Sequence, residues 1–293
     1  MLIEAMGAAA VGACAYGMLY EAYRVRLTEL VFTYDDLPPE FDGFSILQLG
    51  DLHLKKENRL QKLCISKLER KILNCISGRQ VDLIAITGDA ELRGEQGFQA
   101  MRGLLDSVQA RHGAIFIPGN GEYQDYDIDT LLATLDSWGV KTLRNGFCAI
   151  ERDGAAISVI GVDDPFTRHS DVEAAMAGAP AGGFKIMLAH SPSIAREAIK
   201  HRVQLVISGH THGGQIRLPF VGALYTHLGK GSPELDIGLY EGRRLAGRTG
   251  LDPGNTKVFV TRGVGLSEFY IRFLCPPEIA LITLRRRGTR DEG

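Results

Sequence analysis

Short apolar runs recur along this chain, and each stops at a polar residue able to bind a metal. "FSILQLGDLHL" runs into Asp51 and His53, "VDLIAITGDA" ends at Asp89 and "GAIFIPGNGE" at Asn120. "FKIMLAHSP" ends at His190, and "VQLVISGHTHGG" at His210 and His212. The runs are too short for typical helices and are rich in Val, Ile, Leu and Phe, which predicts strands buried on both faces. Stretches of helical pattern at 57–77, 97–111 and 129–138 lie between some of them, and 155–163, 257–262 and 278–285 predict further strands. No repeat or low-complexity linker divides the chain, so the economical architecture is one α/β domain of stacked mixed sheets flanked by helices.

Polar residues at the carboxyl ends of such strands sit where α/β sheets hold their sites. A single histidine there is more often a satisfied structural residue than a ligand. Seven nitrogen and oxygen donors on glycine- or proline-marked turns are difficult to place as core: Asp51, His53, Asp89, Asn120, His190, His210 and His212. Imidazole and carboxylate donors without thiol suit Mn, Fe, Zn or Co better than Ca. Seven donors exceed one tetrahedral site and fit two divalent ions, Mn foremost, that share a bridging carboxylate.

The first twenty residues, "MLIEAMGAAAVGACAYGMLY", carry one charge, Glu4. As a helix they would span about 30 Å, roughly the hydrocarbon thickness of a bilayer. No Lys or Arg precedes Arg24, which argues against a cleaved signal peptide. Arg24 and Arg26 follow the run, so the positive-inside rule puts the large domain on the cytoplasmic side of the membrane. Residues 1–24 are therefore expected to be a hydrophobic membrane-anchor helix, with a buried or amphipathic helix as the alternative, followed by a domain at 42–285 and a basic tail at 286–293.

Composition adds limits rather than functions. A net charge of -2 gives no global attraction to nucleic acid, and the basic clusters lack interleaved aromatics, so no nucleic-acid partner is expected. Five scattered cysteines, Cys14, Cys64, Cys75, Cys148 and Cys275, form no CxxC pair and read as reduced thiols. His112, His169 and His201 lie outside every motif and read as surface residues, as do Arg243, Arg244 and Arg248.

"GDLH", "TGDA", "PGN", "LAHSP" and "SGHTHGGQ" follow one another in the order of the calcineurin-like metallophosphoesterase superfamily, which the chain resembles over roughly 42–285. "GVDDPFTR" and the closing "VTRGVGLSEFYIRFLCPPEIALITL" resemble a membrane-associated subgroup, the YkuE-like phosphodiesterases and the UDP-2,3-diacylglucosamine pyrophosphatases. The resemblance implies a four-layer α/β/β/α sandwich. It also implies one metal on Asp51, His53 and His212 and a second on Asn120, His190 and His210, with Asp89 bridging. Asp51, Asp89, Asn120 and His190 would then act in catalysis through a hydroxide between the metals that attacks phosphorus in line.

One position departs from the family pattern. Where the family places a histidine after Gly-Asn, this chain has Gly121, which can neither protonate a leaving oxygen nor steady the transition state. General acid help contributes about 10²–10⁴ in rate. Its loss is severe for an alkoxide but small when the leaving group is a phosphate, whose second pKa is about 6. That tilts the expectation toward a diphosphate bond in a lipid-linked or nucleotide-linked substrate, with UDP-2,3-diacylglucosamine first. A broad phosphodiesterase and a metal-binding pseudoenzyme remain alternatives. Glu122, Tyr123 and His227 are candidates to supply the proton or, with Arg168, to bind substrate. "GDAELRG" carries Glu91 and Leu92 where an acidic second residue is common, which leaves the support of Asp89 open.

Overall fold

The computed structural model describes residues 2–288 apart from 56–57, 125–126, 229–231 and 268–269, and leaves aside the side chains of residues 2–5, 9 and 10 in the first helix. Within the buried runs a period of two decides which core each side chain joins. In β2 (Ser45–Leu49), Ile46 enters one core while Leu47 and Leu49 enter another; in β4 (Leu83–Thr87), Leu83 and Ala85 oppose Ile84 and Ile86.

Two six-stranded mixed sheets result. The first runs β1 (Arg26–Tyr34), β16 (Glu278–Arg286), β2, β4, β6 (Ala114–Ile117), β7 (Val140–Thr142), with only the β16–β2 pairing antiparallel. The second runs β14 (Gly238–Tyr240), β15 (Lys257–Val260), β11 (Leu205–Ser208), β10 (Lys185–Leu188), β9 (Ala155–Gly161), β8 (Gly146–Arg152), antiparallel at its two edges. Two small pairs complete the strands: β3 (Gln80–Val81) with β5 (Gln109–Ala110), and the hairpin β12 (Arg217–Leu218) with β13 (Gly222–Ala223).

Three apolar cores alternate with these sheets. Between them, Ile46, Leu83 and Ile115 of the first meet Val159, Ile186 and Ile207 of the second. On the outer face of the first sheet lie α2 (Arg59–Ile76), α3 (Gly94–Asp106) and α4 (Ile128–Ser137). On that of the second lie α5 (Val172–Met176), α6 (Ala195–Lys200) and α7 (Gly242–Thr249). Helix α2 starts where Asn58 and Gln61 form a reciprocal capping box, and it buries Ile65, Leu68, Ile72 and Ile76, one stripe at helical spacing. Residue 57, the expected start of that helix, lies outside the described residues.

Two observations bear on the amino-terminal expectation. A helix does form, α1 (Leu2–Leu19), but its 18 residues rise about 27 Å, short of a ~30 Å hydrocarbon core, and its many Ala and Gly keep it only modestly apolar. Among the described residues no helix is long and apolar enough to cross a membrane. The folded unit also begins before residue 42. Strand β1 pairs with β16 from Arg26↔Glu278 to Tyr34↔Arg286, and the buried Glu21 carboxylate accepts the N–H groups of Leu274 and Cys275 at 3.0 and 2.8 Å. β1 is a partly exposed edge strand with polar residues interspersed, so no long apolar run marks it. Of the expected tail, Arg286 still belongs to β16, and 289–293 lie outside the described residues.

Candidate metal centre

The carboxyl ends of β2, β4, β6, β10 and β11 converge where the two sheets meet. Five of the turns' polar residues, Asp51, His53, Asp89, His210 and His212, take positive φ between 47° and 71°. That backbone costs a residue with a side chain about 1–3 kcal/mol and persists where surroundings over-determine it, most often at functional sites. The glycines beside them are needed for room. A Cβ at Gly119 would lie 2.4 Å from Asp89 Oδ1, and one at Gly209 would lie 2.3 Å from Asp51 Oδ2.

All seven sequence-expected donors are brought together, in two sets. The Nε2 atoms of His53 and His212 face each other 3.0 Å apart, with Asp51 Oδ1 3.7 Å from His212 Nε2. Two nitrogens bound at right angles to one ion at about 2.1 Å lie about 3.0 Å apart, so this approach suits ligands of a shared cation. In the second set His190 Nε2 is 3.2 Å from both Asn120 Oδ1 and His210 Nδ1. Asp89 stands between the sets: Oδ2 is 3.8 Å from His53 Nε2, and Oδ1 is 3.4 Å from His190 Nε2.

Neighbours fix which nitrogen each ring offers. His190 Nδ1 donates to the Thr87 carbonyl at 2.9 Å, and His210 Nε2 to that of His227 at 3.2 Å, leaving the inward atoms as acceptors. His53 Nδ1 lies 3.2 Å from Glu91 Oε2. Arg272, wholly buried, donates to the carbonyls of Arg262, Gly263, Gly265 and Cys275 and lies 3.3 Å from His212 Nδ1. Burial, His53 and this cation together hold His212 well below the ordinary imidazole range, in the neutral form a metal needs.

Electrostatics expose an unmet need for positive charge. Asp51 Oδ2 is buried with no hydrogen-bond partner, and burial, reinforced by Asp89, pushes this carboxyl up to about 6. Burial would lower His53 and His190 as well, but the carboxylates of Glu91 and Asp89 raise them. An orphaned carboxylate oxygen facing converging imidazoles fits divalent cations. Asp51, His53 and His212 each place a ligand atom within 4.8 Å of the others, as do Asp51, Asp89 and His190.

Beside this floor lies a cavity of about 390 Å³, lined in part by His53, Asp89, Asn120 and His210. Of the expected substrate residues only His227 lines it. Glu122 is sealed beneath, its carboxylate accepting the N–H groups of Asp89, Glu91 and Gly119 at 2.9, 3.0 and 2.7 Å. Tyr123 donates its hydroxyl to Asp163 and stacks on His169, 4.1 Å between centroids. Arg168 is exposed and does not line the cavity, whereas Phe166 of the same loop does. Sequence reasoning missed Lys55, Phe166, Ser267 and Tyr270 of the lining. Glu91, in doubt as a support, braces His53, while Gly121 N–H steadies Asp89 Oδ1 at 2.7 Å.

The space at Gly121 is already taken. A Cβ there would come within 3.0 Å of Asp89 Oδ1 and of Glu91 Cγ and Oε1. Glu91 in turn holds Lys55, whose Nζ is 2.8 Å from Oε2 at the cavity rim. A buried carboxylate and its ammonium partner therefore stand beside the position a larger residue 121 would fill.

Sequence relatives match most of the chain. The uncharacterized metallophosphoesterase YkuE of Bacillus subtilis is 32% identical over 278 residues, 94% of this chain and 90% of the relative. A metallophosphoesterase of Aquifex aeolicus is 29% identical, over 94% of this chain and 97% of its own. A Danio rerio transmembrane protein with metallophosphoesterase domain is 28% identical, over 92% of this chain but 60% of that longer protein. Residues 44–214, more than half the chain and all seven donors, match the calcineurin-like phosphoesterase family, and the chain belongs to it.

Proposed function

We propose that this metal-dependent phosphoesterase uses two metals to cleave a diphosphate or phosphodiester bond, and that its preferred leaving group is itself a phosphate. The observation that carries the two-metal reading is the division of the donors about Asp89, one oxygen toward His53 and the other toward His190. Asp51, His53 and His212 would hold one ion and Asn120, His190 and His210 the other, with Mn the first choice for this donor set. When bound, such a pair supplies Lewis acidity toward phosphoryl oxygens and lowers the pKa of water toward neutrality.

The chain's own residues set the rest. Glu122 ties the Asp89, Glu91 and Gly119 amides into one frame, which keeps the bridging carboxylate in register. Glu91 orients His53 and holds the Lys55 ammonium where phosphoryl charge would arrive. No proton donor stands at position 121, Glu122 is walled off, the Tyr123 hydroxyl is committed to Asp163, and of the three expected donors only His227, across the cavity, is left. Burial and Asp163 also raise that phenol, which makes it a weaker acid still. A leaving phosphate needs no proton at neutral pH; an alkoxide does.

These features support UDP-2,3-diacylglucosamine, giving a lipid monophosphate and UMP, as the first candidate substrate. The test is a Mn-supplemented assay of this lipid beside bis-p-nitrophenyl phosphate, with Asp89→Ala as blank. Fast UMP release with weak diester cleavage is expected. Diester cleavage alone would move the chain to broad phosphodiesterases, and silence on both with metal bound would make it a metal-binding pseudoenzyme.

A further inference from the structure

Exposed apolar side chains are not scattered over this molecule. Among the described residues, every exposed large hydrophobic except Val31 belongs to α1 and Tyr20 after it, to Leu60 and Leu63 of α2, to the 218–225 hairpin region, or to Phe166 and Leu274. Single exposed apolar residues are ordinary on soluble proteins, but a concentration in a few segments marks an interaction surface.

These segments adjoin one another. The strip 271–274 is bonded on one side to the hairpin stem: Phe273 N–H donates to Gln215 O and Arg217 N–H to Phe273 O, both at 2.9 Å. On its other side Arg272 N–H reaches Gly17 O at 3.4 Å, and the Tyr16 ring lies edge-on to Phe273 at 6.2 Å. Helix α2 joins through Lys67, whose Nζ is 3.4 Å from Leu19 O and 3.7 Å from the Tyr23 ring centroid. At the hairpin tip Phe220 is fully exposed with φ of 65°, a conformation rare for a bulky residue, and Val221 is 69% exposed.

Charge says what would cover this face. Helix α2 carries Arg59, Lys62, Lys67, Arg70 and Lys71 against Glu69 alone, and Arg24 and Arg26 follow α1, in a chain of net charge -2. Apolar tips beside a one-sided basic helix match an anionic lipid surface: headgroups for the cations, the acyl boundary for the tips. The face also runs into the cavity, since the Tyr225 ring lies 5.0 Å from His227.

We infer that this face docks on the surface of an anionic bilayer, with the Phe220–Val221 tip inserted, α1 in the interface and α2 against the headgroups, so that the cavity opens toward the lipid. No crossing of the membrane is required. Only the use of this contact, delivery of a lipid-linked phosphate, rests on the proposed function; docking itself is read without turnover.

The experiment is co-sedimentation of the full, Mn-loaded chain with vesicles of phosphatidylcholine alone or mixed with phosphatidylglycerol. Wild type is expected to bind the mixed vesicles at least about tenfold more tightly. Phe220→Asp with Val221→Asp is expected to weaken binding at least about tenfold, and Lys62→Glu with Arg70→Glu to remove the preference for phosphatidylglycerol. Hydrolysis of soluble bis-p-nitrophenyl phosphate should be unchanged in both variants, which shows that they fold. Absent vesicle binding by wild type, or undiminished binding by the tip variant, would overturn the inference. So would a wild-type dimer in light scattering that the tip substitutions make monomeric, because a second copy would then cover the face. A protein that binds vesicles yet turns over neither substrate would sink the proposed function and leave the docking face standing.

Discussion

The floor of the site and its rim are built differently. On the floor, donors sit on strand ends, all but the half-buried Asn120 are buried, and they are gripped by backbone groups or second side chains. The rim draws Lys55, Phe166, His227, and Ser267 with Tyr270 from four loops rather than from strand ends. The difference teaches that the chemistry is fixed by the fold while the choice of substrate is left to segments that can vary without disturbing it.

Substitutions should separate the two regions by magnitude. Asp89→Ala removes the carboxylate between the two donor sets. It is expected to lower kcat/KM on a soluble diester by about 10³–10⁴, since metal charge stabilisation is worth several kcal/mol. Steady-state kinetics at saturating Mn check this. Glu122→Ala strands three buried amides at about 1 kcal/mol or more each, so urea unfolding should report a loss of about 3 kcal/mol. A stability change below about 1 kcal/mol would return Glu122 to the rim.

Glu91→Gln weakens the brace on His53 and is expected to lower Mn affinity about 10–100-fold in a chelator competition. The pH dependence of that affinity follows from the same contacts. Glu91 and Asp89 raise His53 and His190 above their ordinary 6.5 against the opposing effect of burial, so both hold protons in the metal-free chain at and somewhat above that pH. Binding must displace those protons, so affinity should rise with pH and fall on acidification, by up to about tenfold per unit for each proton displaced. A flat profile between pH 6 and about 8 would contradict this. At the rim, Lys55→Met is expected to weaken competitive inhibition by inorganic phosphate about tenfold while Mn content stays unchanged, and Lys55→Arg to retain most of it. Loss of Mn instead would make Lys55 part of the floor.

The same divide governs what could be read from sequence. Floor residues are legible because buried parallel strands are continuous apolar runs, and the turn after each is marked by glycine or, at His190, by proline, so Asp51, Asp89, Asn120, His190 and His210 announce themselves. Rim residues lie on loops without period; Phe166, Ser267 and Tyr270 fall within stretches that carry the subgroup resemblance, but nothing in those stretches says which side chains turn to the cavity. Glu122 is hard to read for a different reason: a polar residue beside Asn120 looks functional, whereas its carboxylate caps three buried amides from two loops, a role that only three-dimensional proximity reveals. β1 escaped because an edge strand wetted on one side carries no long apolar run. Lys55 and Glu91 each lie two residues past a ligand, a spacing that places both near the floor but does not disclose that they meet.

The most direct test of the account is the metal content of the purified chain after Mn loading and gel filtration, measured beside Asp89→Ala. Two ions per wild-type chain and one or fewer in the variant are expected. A single ion in wild type, unchanged by the substitution, would contradict the division of the floor about Asp89 and the two-metal reading built on it.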